Sequence, residues 1–238
     1  MSSVPQPQEP APRTRRKNMR AEDREKQIVA EAVRFFAECG FEGQTRELAK
    51  RMGVSHAVIY RHFDSKEALI ERVYEHVYLS RWNPDWEVLI LDRSRPLKER
   101  MVQFYQEYAE RVFDYDWVRI FMYSGLKSFD LSGRYLTIIR EKVVQPFATE
   151  FRAHIDPDHS PDLPGEEELE LFWGLHGSIF YMAIRQFVYN VPVDVDVERA
   201  VRNSVEVFYH GAEQAYRNDF LTWRDAAGGA ATGKADHK

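Results

Sequence analysis

The sequence predicts an all-α protein in which a small three-helix amino-terminal domain precedes a larger helical body. Three observations predict it. Apolar residues recur at three- and four-residue spacing, with no convincing alternating strand. Residues 44–63 read as two short helices around a glycine turn. Charge also divides along the chain: residues 1–66 hold 13 Lys and Arg against 9 Asp and Glu, whereas the remainder holds 20 against 29 within a net charge of -5. A length of 238 residues suits one large domain or two modest ones with an ample core.

Taken in order, residues 1–18 combine Pro5, Pro7, Pro10 and Pro12 with Arg13, Arg15, Arg16 and Lys17 and carry almost nothing apolar, which predicts an unstructured basic arm. From Ala21 to Cys39 a helix is marked by Ile28, Ala32, Phe35, Phe36 and Cys39 on one face and is stopped by Gly40. Thr45 is a cap-type residue for the next helix, which buries Leu48, Ala49 and Met52 and ends at Gly53. Ser55 caps a third, held by Ile59 and Phe63, and residues 19–66 form this first domain. Asp64 with Glu67 reads as a capping box opening a connecting helix, residues 67–82, that ends near Asn83-Pro84. The body, residues 83–224, reads as helices over Pro96–Phe113, Asp116–Lys127, Ser132–Ile155 (kinked by Pro146), Glu166–Tyr189 and Asp194–Tyr216. Residues 225–238 form a second unstructured tail.

The 44–63 stretch has the shape that fits a DNA major groove. With Ile59 and Phe63 turned inward, His56, Ala57, Tyr60, Arg61 and His62 face out as donors, an aromatic and a compact residue suited to phosphates and base edges. Val58 lies between the two faces, placed either to fill core or to touch a thymine methyl. A basic first quarter on an acidic body is the charge division of a DNA reader with a separate second domain. In that setting the arm either follows the minor groove or backbone or remains a solvated tail.

Where Tyr60-Arg61-His62-Phe63-Asp64-Ser65-Lys66-Glu67-Ala68-Leu69 follows Gly53-Val54-Ser55, the chain resembles the TetR family of bacterial transcriptional repressors, closely over residues 21–82. The resemblance implies a homodimer whose helix-turn-helix domains occupy successive major grooves of an operator in double-stranded DNA. It also implies a divergent helical body that binds a small-molecule effector and supplies the dimer contact. Carried over by position, it implies DNA contacts by Ser55, His56, Ala57, Val58, Tyr60, Arg61 and His62, and backbone contacts by Thr45, Arg46 and Lys66. His56-Ala57 stands where many members carry Lys-Gly.

Two further features concern the body. Small residues at Gly174, Gly177, Ser178, Gly211 and Ala212 let the last two helices approach others closely, as a four-helix contact about a two-fold axis needs. Rings crowd the middle helices, and Tyr108, Trp117, Phe121, Trp173, His176, Phe180 and Arg185 are the candidates to line an effector cavity, against the alternative of ordinary core.

Other chemistries lack a signature. No nucleophile elbow points to an enzyme, no glycine loop or other motif points to a cofactor, and the eight histidines make no metal pattern, His154, Asp156, Asp158 and His159 reading as a solvated loop. No apolar run reaches the ~18 residues of a membrane span, and no signal peptide opens the chain, which places the protein in the cytoplasm. Cys39 is read as a buried, inert thiol. The alternatives are a helical ligand-binding or enzymatic protein without DNA binding, and a transcriptional activator with the same reading head.

Overall fold

The computed structural model describes residues 21–126, 130–157 and 163–220. The basic arm, residues 1–18, and the carboxy-terminal tail, residues 225–238, lie outside them. Helix α1 (Ala21–Cys39) places Ile28, Val29, Ala32, Val33, Phe35 and Phe36 on one buried face, the 3.6-residue stripe its sequence predicts. Its chain then turns at Gly40, whose φ of +72° lies in the left-handed region. A Cβ there would stand 3.0 Å from the Tyr123 ring, so Gly40 is also where the first domain closes on the body. Cys39 departs from expectation: it is exposed, because the last turn of α1 directs Phe36 and Ala37 inward and leaves position 39 on the outer side. Its thiol donates to the Phe35 carbonyl at 2.9 Å. Partial burial and the Glu38 and Glu47 carboxylates raise its pKa, which disfavours the reactive thiolate.

Helices α2 (Thr45–Arg51) and α3 (His56–His62) follow. The N-cap of α2 is Gln44 and not Thr45, which sits one position inside the helix and is buried. The corner between them is a Schellman turn: Gly53 N–H donates to the Lys50 carbonyl at 3.1 Å and Val54 N–H to that of Ala49 at 3.0 Å. Gly53 has φ +65° and open space where a Cβ would go, so its requirement is conformational and not steric. Gly53→Ala is expected to cost about 1–2 kcal/mol of stability, read as a lower denaturation midpoint with an unchanged slope. Arg51, at the end of α2, ties back to α1 with two bonds to Glu38, at 2.5 and 2.8 Å, and a further ion pair with Glu31.

Helix α4 (Lys66–Val77) connects the two domains and is capped by Ser65, whose hydroxyl accepts from Ala68 N–H at 3.0 Å. The cap thus falls one residue after Asp64, since Ser65 takes the extended conformation that the capping position needs. A 3₁₀ turn over Leu79–Arg81 leads to α5 (Asp85–Leu91), an element the sequence reading omits. Its signals are short but present: Asn83 accepts from Asp85 N–H at 3.1 Å, and Trp86 and Ile90, four apart, are the buried face.

The body continues with α6 (Leu97–Val112), α7 (Tyr115–Gly125, capped by Asp114), α8 (Leu131–Ile139), α9 (Gln145–Ile155), α10 (Glu166–Phe187) and α11 (Val197–Ala215, capped by Asp196). The break expected at Pro146 falls just before it. Arg140–Val144 form a π turn with Gln145 N–H on the Arg140 carbonyl, and the wider turn relieves the clash that a proline makes with the preceding turn of helix. Helix α1 packs on α4 and α7, α11 on α6, and α10 on α6, α7, α9 and α11, so one continuous core runs from the first domain into the body. Among the described residues no helix is long and apolar enough to cross a membrane.

Candidate nucleic-acid interface

Why α3 presents one set of side chains outward follows from what holds its back. Ile59 is 1% exposed and Phe63 is 6%, while Tyr60 is 41% exposed and Ser55, Ala57 and Arg61 are also at the surface. Val58, His56 and His62 are half-buried at the edges of that face, so Val58 does sit on the boundary between core and surface. Ser55 occupies the N-cap position, yet its side chain caps nothing, leaving the hydroxyl facing solvent. Helix α4 begins directly beneath, and Lys66 stands in its first turn.

Thr45 is the least anticipated part of the site. It is 6% exposed, and its hydroxyl lies 2.9 Å from His56 Nε2 and 3.2 Å from the Tyr60 hydroxyl. His56 and Tyr60 meet edge to face with ring centroids 4.8 Å apart. Thr45 therefore ties the start of α2 to two side chains of α3 and fixes their orientation. Arg46 beside it is exposed, and Lys50, one turn further along α2, presents a second cation that the sequence reading passes over. Arg51, by contrast, is committed to Glu38 and Glu31.

The first domain is fastened to the body at the end of α1 and along α4. Arg119 of α7 donates to the Ala37 carbonyl at 2.6 Å and to the Tyr123 hydroxyl at 2.8 Å, and reaches toward the Phe187 carbonyl at 3.5 Å. Along α4, Arg134 of α8 holds Glu71 through two 2.8 Å bonds and stacks over Tyr74 at 4.4 Å. Helix α4 and the end of α1 thus both carry contacts between head and body.

Six of the seven candidate effector residues fall into two aromatic clusters, and Arg185 stands apart from both. Trp117, stacked on Phe121 at 5.4 Å, meets Phe180 at 5.6 Å and Tyr78 at 5.0 Å. Tyr108 bonds His176 Nε2 at 3.2 Å, with Trp173 edge-on to the same imidazole at 5.8 Å. Tyr108, Trp117 and His176 are buried, and ring contacts fill the space around them. Arg185 lies over Tyr181 with its Nε buried and unpartnered. His176 Nδ1 and the Tyr105 hydroxyl are likewise buried without a partner. His154, offered by the sequence as part of a solvated loop, bonds the Tyr209 hydroxyl at 2.8 Å, while Asp158 and His159 lie outside the described residues.

Burial drives the His176 pKa down to about 4 from an ordinary 6.5. The unfolded chain binds a proton there that the folded chain refuses, so stability is complete above pH 6.5 and falls as pH drops toward 4. The loss is on the order of 3 kcal/mol by pH 4. Unfolding midpoints measured across that window should slope downward in the natural protein and flatten in His176→Leu.

Residues 28–73, from the buried face of α1 into α4, match the family model described as bacterial regulatory proteins, tetR family. No curated protein matches the chain. Among solved structures, the TetR family transcriptional regulator PfmR from Thermus thermophilus is 20% identical, over 77% of this chain and 97% of its own, with a TM-score of 0.55. A TetR family transcriptional regulator from Pseudomonas syringae pv. tomato is 19% identical, over 80% and 94%, with a TM-score of 0.54. A tetR-family transcriptional regulator from Streptomyces coelicolor is 16% identical, over 83% and 85%, with a TM-score of 0.53. Residues 28–73 thus match the amino-terminal domain of the tetR family of bacterial regulatory proteins, and the all-helical chain has a fold similar to that of solved TetR-family regulators.

Proposed function

We propose that the chain is a homodimeric, DNA-binding transcriptional repressor that leaves its operator when a small molecule occupies the helical body. The observation that carries the DNA reading is the outward row Ser55, Ala57, Tyr60 and Arg61 on α3, pinned from behind by Ile59, Phe63 and Thr45. In this reading the row enters the major groove, with Arg61 and Val58 toward base edges. Tyr60, His62, Arg46 and the first turn of α4 at Lys66 bind phosphates.

The dimer is supported by the outer face of α10 and α11. Gly174, Leu175, Ser178, Ser204, Val207 and Gly211 line a largely apolar groove there, Val207 is 77% exposed, and nothing stands within 4 Å of a Cβ placed at Gly174, Gly177 or Gly211. A face so open and apolar fits a second copy of the same pair about a two-fold axis. Release is a population shift: an effector that separates the rings around Trp117 and His176 moves α7, and Arg119 passes that movement to α1 and the head.

Selection of bound sequences from random duplex DNA tests the assignment directly. A recovered palindrome, followed by lower transcription from a promoter that carries it, is the expected result. No enriched sequence would remove the DNA reading, and raised transcription would replace repressor with activator.

A further inference from the structure

The loop between α5 and α6 meets α9 and α11 around a groove of about 570 Å³. Its walls carry Arg93, Arg95, Lys98, Arg100 and His154, and Glu150 is the one carboxylate among the described residues that line it. This is an unusual concentration in a body where acidic residues outnumber basic ones. Glu150 and Arg100 are both buried, and the bond that Glu150 accepts from Arg100 at 3.1 Å, with a second accepted from Arg93 at 2.7 Å, builds the floor. Arg100 also donates to the carbonyls of Ile90 and, at 3.2 Å, Arg95, so the floor holds the loop itself in shape.

Cations predominate in the lining itself: Arg93, Arg95, Lys98 and Arg100 stand against Glu150, with Glu206 bonding Lys98 at 3.0 Å and the Asp92 and Glu213 carboxylates at the rim, near Arg95 and His154. Arg93 keeps 68% of its side chain exposed, and Arg95 spends one donor on Gln103 at 2.8 Å, leaving most of its five for a ligand. The first turn of α6 opens here too: Pro96 at its N-cap offers no side-chain cap, so the early backbone N–H groups of this 16-residue helix add to the same field. Leu97 and Tyr209 supply apolar wall for a carbon frame. A fork of arginines with a lysine in a concave site is the donor set for planar or tetrahedral oxyanions.

We propose that this groove binds a small organic polyanion carrying two or more negative charges on phosphate or carboxylate groups. The proposal is independent of the DNA reading, and its test uses no DNA. Calorimetric titration of the full chain with pyrophosphate in one arm and citrate in the other should give saturable binding at one site per chain, with acetate at equal charge concentration giving none. The tighter arm assigns phosphate or carboxylate. Arg95→Gln combined with Lys98→Gln should weaken that binding at least tenfold, whereas Arg199→Gln, a surface cation outside the groove, should leave it unchanged. In the natural protein, the ligand should slow amide hydrogen exchange over residues 93–100, a readout that needs no variant. The proposal is overturned if neither arm saturates, if Arg199→Gln weakens binding as much as the double variant, or if exchange over 93–100 is unaltered by saturating ligand.

Discussion

Arg61→Ala is expected to abolish high-affinity operator binding while leaving the fold intact. Arg61 lies on the exposed face of α3 and makes no contact that the core needs, so its removal acts on DNA alone. An arginine that reads a base contributes about 1–3 kcal/mol per contact, and a two-fold dimer loses it twice, so the affinity should fall by about 30-fold or more. Fluorescence anisotropy on the selected duplex, at several salt concentrations, separates two roles. A base contact relaxes preference at one position of each half-site with little change in salt slope. A phosphate contact weakens all sequences alike and lowers the slope by about one per contact. An unchanged affinity would remove Arg61 from the interface, and with it the proposed orientation of α3.

Val207→Glu is the second large effect, and it acts at the other end of the molecule. Val207 is exposed on the apolar groove of α10 and α11 in the single chain. Within a symmetric contact each substitution appears twice near the axis, burying two carboxylates that have no compensating cation in the groove. Dimer dissociation should rise by at least 100-fold, since burying an unpaired charge costs several kcal/mol. Sedimentation velocity should show the natural protein as a dimer and Val207→Glu as a monomer with the same helical content. Operator affinity should collapse with it, because one head sees one half-site. A variant that remains dimeric would place the two-fold contact elsewhere.

Much of this architecture is legible in the sequence because helices announce themselves by period. The stripe of α1 buries Ile28, Ala32, Phe35 and Phe36 as its spacing selects, and Gly53 marks its corner through a φ that other residues avoid. Short or displaced features are less legible. Helix α5 has only two buried anchors, Trp86 and Ile90, too few to establish a period. The α4 cap moved from Asp64 to Ser65 because either residue type can cap and only backbone conformation chooses. Cys39 left the core since one turn of helix rotates away from its neighbours before ending. In the reading head, the outward row of α3 follows from Ile59 and Phe63, whereas the bonds from Thr45 to His56 and Tyr60 cross from one helix to the next and have no counterpart in spacing.

Those bonds bear on the thermodynamics of recognition. Long side chains ordinarily surrender about 0.5–1.5 kcal/mol each in rotamer freedom when a complex immobilises them. With Thr45 clamping the imidazole and the phenol beforehand, much of that entropy is already lost in the free protein. The head is therefore a preset stamp more than an adaptable hand. Cognate and mismatched duplexes should be captured at similar speed, with discrimination expressed in how long each is retained.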